Sequence, residues 1–111
     1  MSRAKQRGTA WETAVVNYLQ TSGWPHAERR ALNGNTDRGD ITGLPGVCIE
    51  AKNAARVELG EWLKEMLTEK TNANADVGAV WIKRRGKTSP GDAYVMMDGR
   101  QFVQLLKEAG W

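Results

Sequence analysis

The sequence predicts an α/β (α+β) domain, a mixed β-sheet of about five strands flanked by helices in the order αβββαββα. Three observations carry this. Apolar residues recur at helical spacing in three separated stretches of the chain. Between the first two stretches, short extended segments flank Leu44-Pro45-Gly46, a composition that turns the chain back on itself. After the second stretch, Val77 to Lys83 is an apolar run suited to a central strand.

Taken in order, residues 9 to 21 form the first helix, with Trp11, Ala14, Val15, Tyr18 and Leu19 on one face and Gly23 and Pro25 as its stop. Ahead of it, residues 1 to 7 read as a basic, flexible arm. Residues 26 to 32 are a strand candidate carrying Arg29 and Arg30, and the turn-rich stretch from Asn33 to Arg38 is loop. Residues 38 to 43 and 47 to 52 make a hairpin. Residues 58 to 72 form the second helix, since Leu59, Trp62, Leu63, Met66 and Leu67 repeat at three and four. Ala93 to Met97 is the last strand, reached through a basic, glycine-containing loop from Arg84 to Gly91. Asp98 caps a final helix, because Gln101 follows three residues later and Phe102, Val103, Leu106 and Ala109 line an apolar face.

A chain of 111 residues and 12.3 kDa fits one domain, residues 1 to 111. No apolar run approaches the roughly 20 residues that span a bilayer, and the polar N-terminus shows no secretory signal, so a cytoplasmic protein is expected. The lone cysteine, Cys48, has no disulfide partner and no zinc-ligand neighbours, and reads as a small buried apolar residue. The net charge is +3 and the isoelectric point about 9.2, in keeping with a polyanionic partner. Glu58, Glu61, Glu65 and Glu69 share one helical stripe, and outside residues 58 to 69 the chain carries 15 basic and 9 acidic residues. If that stripe points away from the partner, the working face is basic; a solvated helix face explains it equally.

The chemistry is concentrated in the hairpin. Alternate strand residues share a face, so Cys48, Glu50 and Lys52 point opposite to Val47, Ile49 and Ala51. With the hairpin centred on Pro45, Asp40 faces Glu50, Thr42 faces Cys48 and Arg38 faces Lys52; a slip of one residue would send Asp40 to the other side. Directly opposed carboxylates destabilise a sheet unless something compensates. A hard divalent cation does so, because magnesium takes carboxylate oxygens at about 2.1 Å and keeps positions open for water and phosphate. The ammonium of Lys52 suits charge building on a phosphorane or an attacking water held in its nucleophilic form. Two acids, a metal and a lysine together point to phosphodiester chemistry.

Asp40, nine intervening residues and then Glu50-Ala51-Lys52 in an apolar strand, behind a helix with an acid near its start, resembles the PD-(D/E)XK nuclease motif. The resemblance covers roughly residues 8 to 85, and Gly39 stands where the motif's name has proline. It implies a restriction-endonuclease-like core and Mg2+, with Mn2+ as a substitute. By the same resemblance Asp40 and Glu50 are metal ligands, the Ala51 carbonyl ligates beside them, Lys52 is catalytic, and Glu12 matches the helix-one glutamate near the metal. The compact build and Gly39-Asp40-Ile41 look most like Holliday-junction resolvases of archaeal and phage type. That implies a homodimer cutting four-way DNA junctions by paired nicks, without nucleotide cofactor or membrane, in a prokaryotic or phage-infected cytoplasm. A related small nuclease acting on nicks, flaps or restriction-type sites, and a catalytically inert DNA-binding module of the same fold, are the alternatives.

Several residues carry two readings. Thr9 and Glu12 have capping-box spacing, so Glu12 caps a helix, serves the site, or does both. Arg29, Arg30 and Arg38 near the hairpin, and Lys83, Arg84, Arg85 and Lys87 beyond the central strand, suit a nucleic-acid backbone; strand-edge charge and a solvated loop are the plainer roles. His26 reads as structural. The tryptophans read as core, except Trp24 and Trp111 at segment ends. The strand around Trp81 and the helix bearing Trp62 are the candidate dimer surfaces.

Overall fold

The computed structural model describes residues 2–31 and 36–111. Leu32, at the end of the strand candidate, and Asn33 to Asn35 of the expected loop lie outside the described residues. The elements run α1 (Arg3–Thr21), β1 (Glu28–Arg29), β2 (Ile41–Thr42), β3 (Val47–Lys52), α2 (Leu59–Asn72), β4 (Val77–Ile82), a one-turn 3-10 helix (Pro90–Asp92), β5 (Tyr94–Met96) and α3 (Gly99–Glu108). Among the described residues the strands form one sheet in sequence order, β1 to β5, and only the β3–β4 pair is parallel. This is a mixed α/β fold with a five-stranded mixed sheet and three helices.

Helix α1 begins earlier than its apolar stripe. Ser2 is the N-cap, its side chain accepting from the Lys5 amide. Arg3 to Arg7, expected as an arm, therefore form the first turns, and Thr9 with Glu12 lies inside the helix, where no capping box can form. Arginine, lysine and glutamine have good helix propensity but carry no apolar period to announce them. The stripe itself buries Trp11, Val15, Val16 and Leu19 against Ile41 and Ile49.

The hairpin keeps the register of a turn centred on Pro45, with Ile41 opposite Ile49. Gly43 has φ +96°, and a Cβ there would collide with the His26 carbonyl, so the bend out of β2 into the hairpin turn requires glycine. β3 then serves two layers. Val47, Ile49 and Ala51 pack with the α1 cluster, while Glu50 and Lys52 turn toward α2. Helix α2 is the crossover of a β3–α2–β4 unit whose parallel register runs from Val47↔Val77 to Lys52↔Ile82.

A second, smaller core of Trp62, Met66, Val80 and Ile82 joins α2 to β4. Trp62 is thus buried within the chain, and Trp81 sits on an interior strand with its indole nitrogen donating to the Pro90 carbonyl. Both indoles are thus engaged within the chain, while Leu59 and Leu67 on the outer side of α2 stay exposed. Asp98 caps α3 by accepting from the Gln101 amide, and the buried Gln101 carboxamide accepts from the Gly78 amide and the Lys70 ammonium. Phe102 and Val103, on the apolar face of α3, remain exposed. No helix among the described residues is long and apolar enough to cross a membrane.

Candidate functional site

The site is assembled where β3 runs beneath α2. Two strand residues advance about 6.6 Å and four helix residues about 6 Å, so an i,i+2 pair on a strand can match an i,i+4 pair on an antiparallel helix. That match occurs here. Lys52 Nζ lies 3.0 Å from Glu65 Oε1 and 3.8 Å from Glu50 Oε1, and Glu50 in turn faces Glu69. The acidic stripe of α2, expected to point away from the working face or into solvent, supplies two of its residues to the site.

Asp37, Glu50 and Glu69 offer ligand oxygens that all lie within 4.8 Å of one another. Glu69 is only 1% exposed and Glu50 5%. Both oxygens of Glu69 and Oε2 of Glu50 have no hydrogen-bond donor among the described residues. Burial, reinforced by the neighbouring carboxyls of Glu69 and Asp40, pushes Glu50 far above the usual carboxylate range. Burial also raises Glu69, with Asp37 and Asp40 adding to the effect and contact with Glu50 opposing it. A shared proton or a cation relieves this crowding; two bare carboxylates do not.

Asp40 stands beside this trio. Its Oδ2 accepts from the Ala51 amide at 2.8 Å, and its own amide donates to the Ile49 carbonyl at 2.9 Å, so the side chain is locked against β3 at the point where β2 leaves it. The preceding Gly39 has φ +94°, which the proline of the family motif cannot adopt, and a Cβ there would lie 3.0 Å from Cys48 Sγ. Asp37 is placed by its Oδ1 accepting from the Gly39 amide and by its carbonyl accepting from Asn72 on α2. The Cys48 thiol, buried and near Glu69, is pushed up to about 12 and is chemically inert.

Glu12 approaches from α1 as a neighbour of Asp40. Partial burial holds its carboxyl above the ordinary range, with the Asp40 charge adding to the effect and Arg29 opposing it; Arg29 Nε donates to Glu12 Oε1 at 3.0 Å. A cleft of about 660 Å³ opens here, with Glu12 and Asp40 in its wall and Arg29, Arg30 and Arg38 around it. Arg30 Nε is buried there without a hydrogen-bond partner among the described residues. Of the second basic group, Arg84, Arg85 and Lys87 are exposed, whereas Lys83 donates to the Lys87 carbonyl and lies over the Trp11 ring. The chain therefore brings Glu12, Asp40, Glu50 and Lys52 into one neighbourhood, and adds three acids the hairpin reading missed: Asp37, Glu65 and Glu69.

No family model matches the chain, and no curated protein and no solved structure matches it.

Proposed function

We propose that the chain is a magnesium-dependent endodeoxyribonuclease of the PD-(D/E)XK class that hydrolyses phosphodiester bonds at branched DNA, resolving four-way junctions by paired nicks as a homodimer. One observation carries the reading: among the described residues, Glu50 Oε2 and both oxygens of Glu69 are buried without a donor, and these two carboxyls meet Asp37 and Asp40 beside the Lys52 ammonium. Burying an ionised carboxylate without a partner costs several kcal/mol (roughly), so the trio fits a hard divalent cation. Asp40, Glu50 and the Ala51 carbonyl would hold it with Glu12 alongside, and Asp37 and Glu69 extend the ligand set. Magnesium, or manganese in its place, supplies Lewis acidity and a more acidic bound water.

The chain's own residues do the rest. Burial favours neutral Lys52, but the hydrogen bond to Glu65 and the charges of Glu50, Glu65 and Asp40 outweigh it and hold the amine above its ordinary value. An ammonium cannot take a proton from water. Lys52 therefore acts by stabilising charge that develops on the phosphorane, and Glu65 positions it. Arg29, Arg30 and Arg38 offset the acids for an approaching polyanion and orient its phosphates. Two sites are needed to nick a junction symmetrically, which is why the active form is a dimer.

The test uses labelled four-way junction, flap, plain duplex and single-stranded DNA, each with magnesium or a chelator. Paired symmetric nicks confined to the junction are the expected result. Lys52→Ala and Asp40→Asn should each lower cutting by about a hundredfold or more while leaving binding intact. Binding of every substrate with cutting of none would establish the inert module instead, and preferential cutting of flaps or duplex would move the substrate away from junctions.

A further inference from the structure

A second groove, of about 1000 Å³, begins one residue beyond Lys52 and is used by none of the chemistry above. Asn53 forms part of its wall, and so does Lys83, whose amide donates to the Lys52 carbonyl at 2.9 Å. Its walls combine two kinds of side chain that rarely share an empty surface. Arg7 from α1, with Lys83, Arg84 and Arg85 beyond β4, makes them cationic, and no carboxylate among the described residues lines them. Arg7, Arg84 and Arg85 enter no ion pair among the described residues. The floor is apolar: Tyr94 is 58% exposed, Val57 61% and Leu59 49%, with Met96 beside them.

The charge selects a polyanion, and the floor selects which part of it. A paired, stacked duplex presents phosphate and sugar to a cleft and keeps its base faces inside the stack, so it has nothing to lay on Val57, Leu59 and Tyr94. An unpaired nucleotide presents both: a π-face for the aromatic platform and flanking phosphates for the arginines. The Arg84 guanidinium already lies 5.6 Å from the Tyr94 ring centroid, a cation–π pair against which a base can stack.

We propose that this groove binds an unpaired nucleobase, stacked on Tyr94 over Val57 and Leu59, with its phosphates on Arg7, Arg84 and Arg85. Within the branched DNA of the proposed function, the groove then takes a base left unpaired at the branch point, beside the scissile phosphate. The proposal rests on the nuclease reading for its connection to cutting, but it is tested without metal and without turnover, so the two can fail separately.

In chelator, anisotropy of a short labelled single strand is compared with that of the matching blunt duplex, and a strand carrying 2-aminopurine reports stacking by its fluorescence. The single strand should bind more tightly, with 2-aminopurine quenched on binding. Tyr94→Ala should weaken single-strand binding about tenfold and relieve the quenching while leaving duplex binding unchanged. Tyr94→Phe should bind like the natural chain. Arg84→Ala combined with Arg85→Ala should lower the salt dependence of single-strand binding by about 0.7 per lost phosphate contact. Thermal melts showing Tyr94→Ala folded make its result decisive. Equal weakening for strand and duplex, or no weakening for either, overturns the proposal. So does sedimentation showing that Val57→Asp converts a dimer to a monomer, since the groove would then be covered by a second copy.

Discussion

The two faces of the sheet are built on opposite principles. Against α1, the layer is apolar throughout: Trp11, Val15, Val16 and Leu19 meet Ile41, Leu44 and Ile49, and the Trp11 indole donates to the Trp81 carbonyl at 3.0 Å. Against α2, Trp62, Met66, Val80 and Ile82 make a smaller core with Leu63 and Met96 packed on it, and the same layer buries Glu50, Glu69 and Gln101. One face supplies folding free energy and the other consumes part of it. A carboxylate kept from water without a donor is a standing cost, and the apolar α1 layer lets the domain tolerate it at the site.

Breaking the stabilising face gives the largest expected effect. Trp11→Ala removes a fully buried ring and its hydrogen bond, and should cost about 3–5 kcal/mol, read as a lower urea midpoint. That is a large share of the total stability of a domain this size, so the variant should melt near ambient temperature.

The costly face predicts the opposite sign. Glu69→Gln replaces one of two facing carboxyls with a group that can donate to Glu50, so the metal-free protein should gain about 1–3 kcal/mol. On the proposed metal site, its thermal midpoint should also rise less on adding magnesium than that of the natural chain. The pH dependence follows from the same pair. Glu69 is raised from 4.5 to about 7, so the folded chain retains a proton that the unfolded chain has released. Stability from this group is complete below pH 4.5 and is lost as pH climbs toward about 7. Thermal melts of the metal-free chain across that window should fall for the natural sequence and fall less steeply for Glu69→Gln, in which Glu50 still retains its proton; a rise with pH would sink the assignment.

Legibility in the sequence divides along the same line. The α1 face was readable because helical period and strand alternation both report apolar burial, and the turn at Leu44-Pro45-Gly46 set a register that placed Asp40 next to Glu50. The α2 face was readable only on its strand side. An acidic stripe at helical spacing looks the same whether it meets water or a site, and Glu69 is identified only by the long-range contact that sets α2 over β3. A signal did exist: acids four apart on a crossover helix match a Glu-X-Lys strand in length and direction. Asp37 had no such signal, because a loop has no period. The early start of α1 was hidden too, since Arg3 to Arg7 have no apolar face to mark them.

The smallest expected effect sharpens the comparison most, because it separates geometry from stability on the costly face. Glu65 and Lys52 form a pair that is partly open to solvent, with side-chain exposures of 44% and 22%. Glu65→Gln should therefore change stability by less than about 0.5 kcal/mol. Its effect should lie in the chemistry. Losing the Glu65 charge removes one of the influences that hold Lys52 above its ordinary value, so the alkaline limb of the cutting profile should move to lower pH, with kcat reduced and KM preserved. Glu65→Asp, which restores the charge at shorter reach, should recover the position of the limb more than the rate. A profile unmoved by either substitution would show that Lys52 is held without Glu65, by Glu50 and Asp40, and that the α2 stripe contributes Glu69 but not Glu65 to the proposed site.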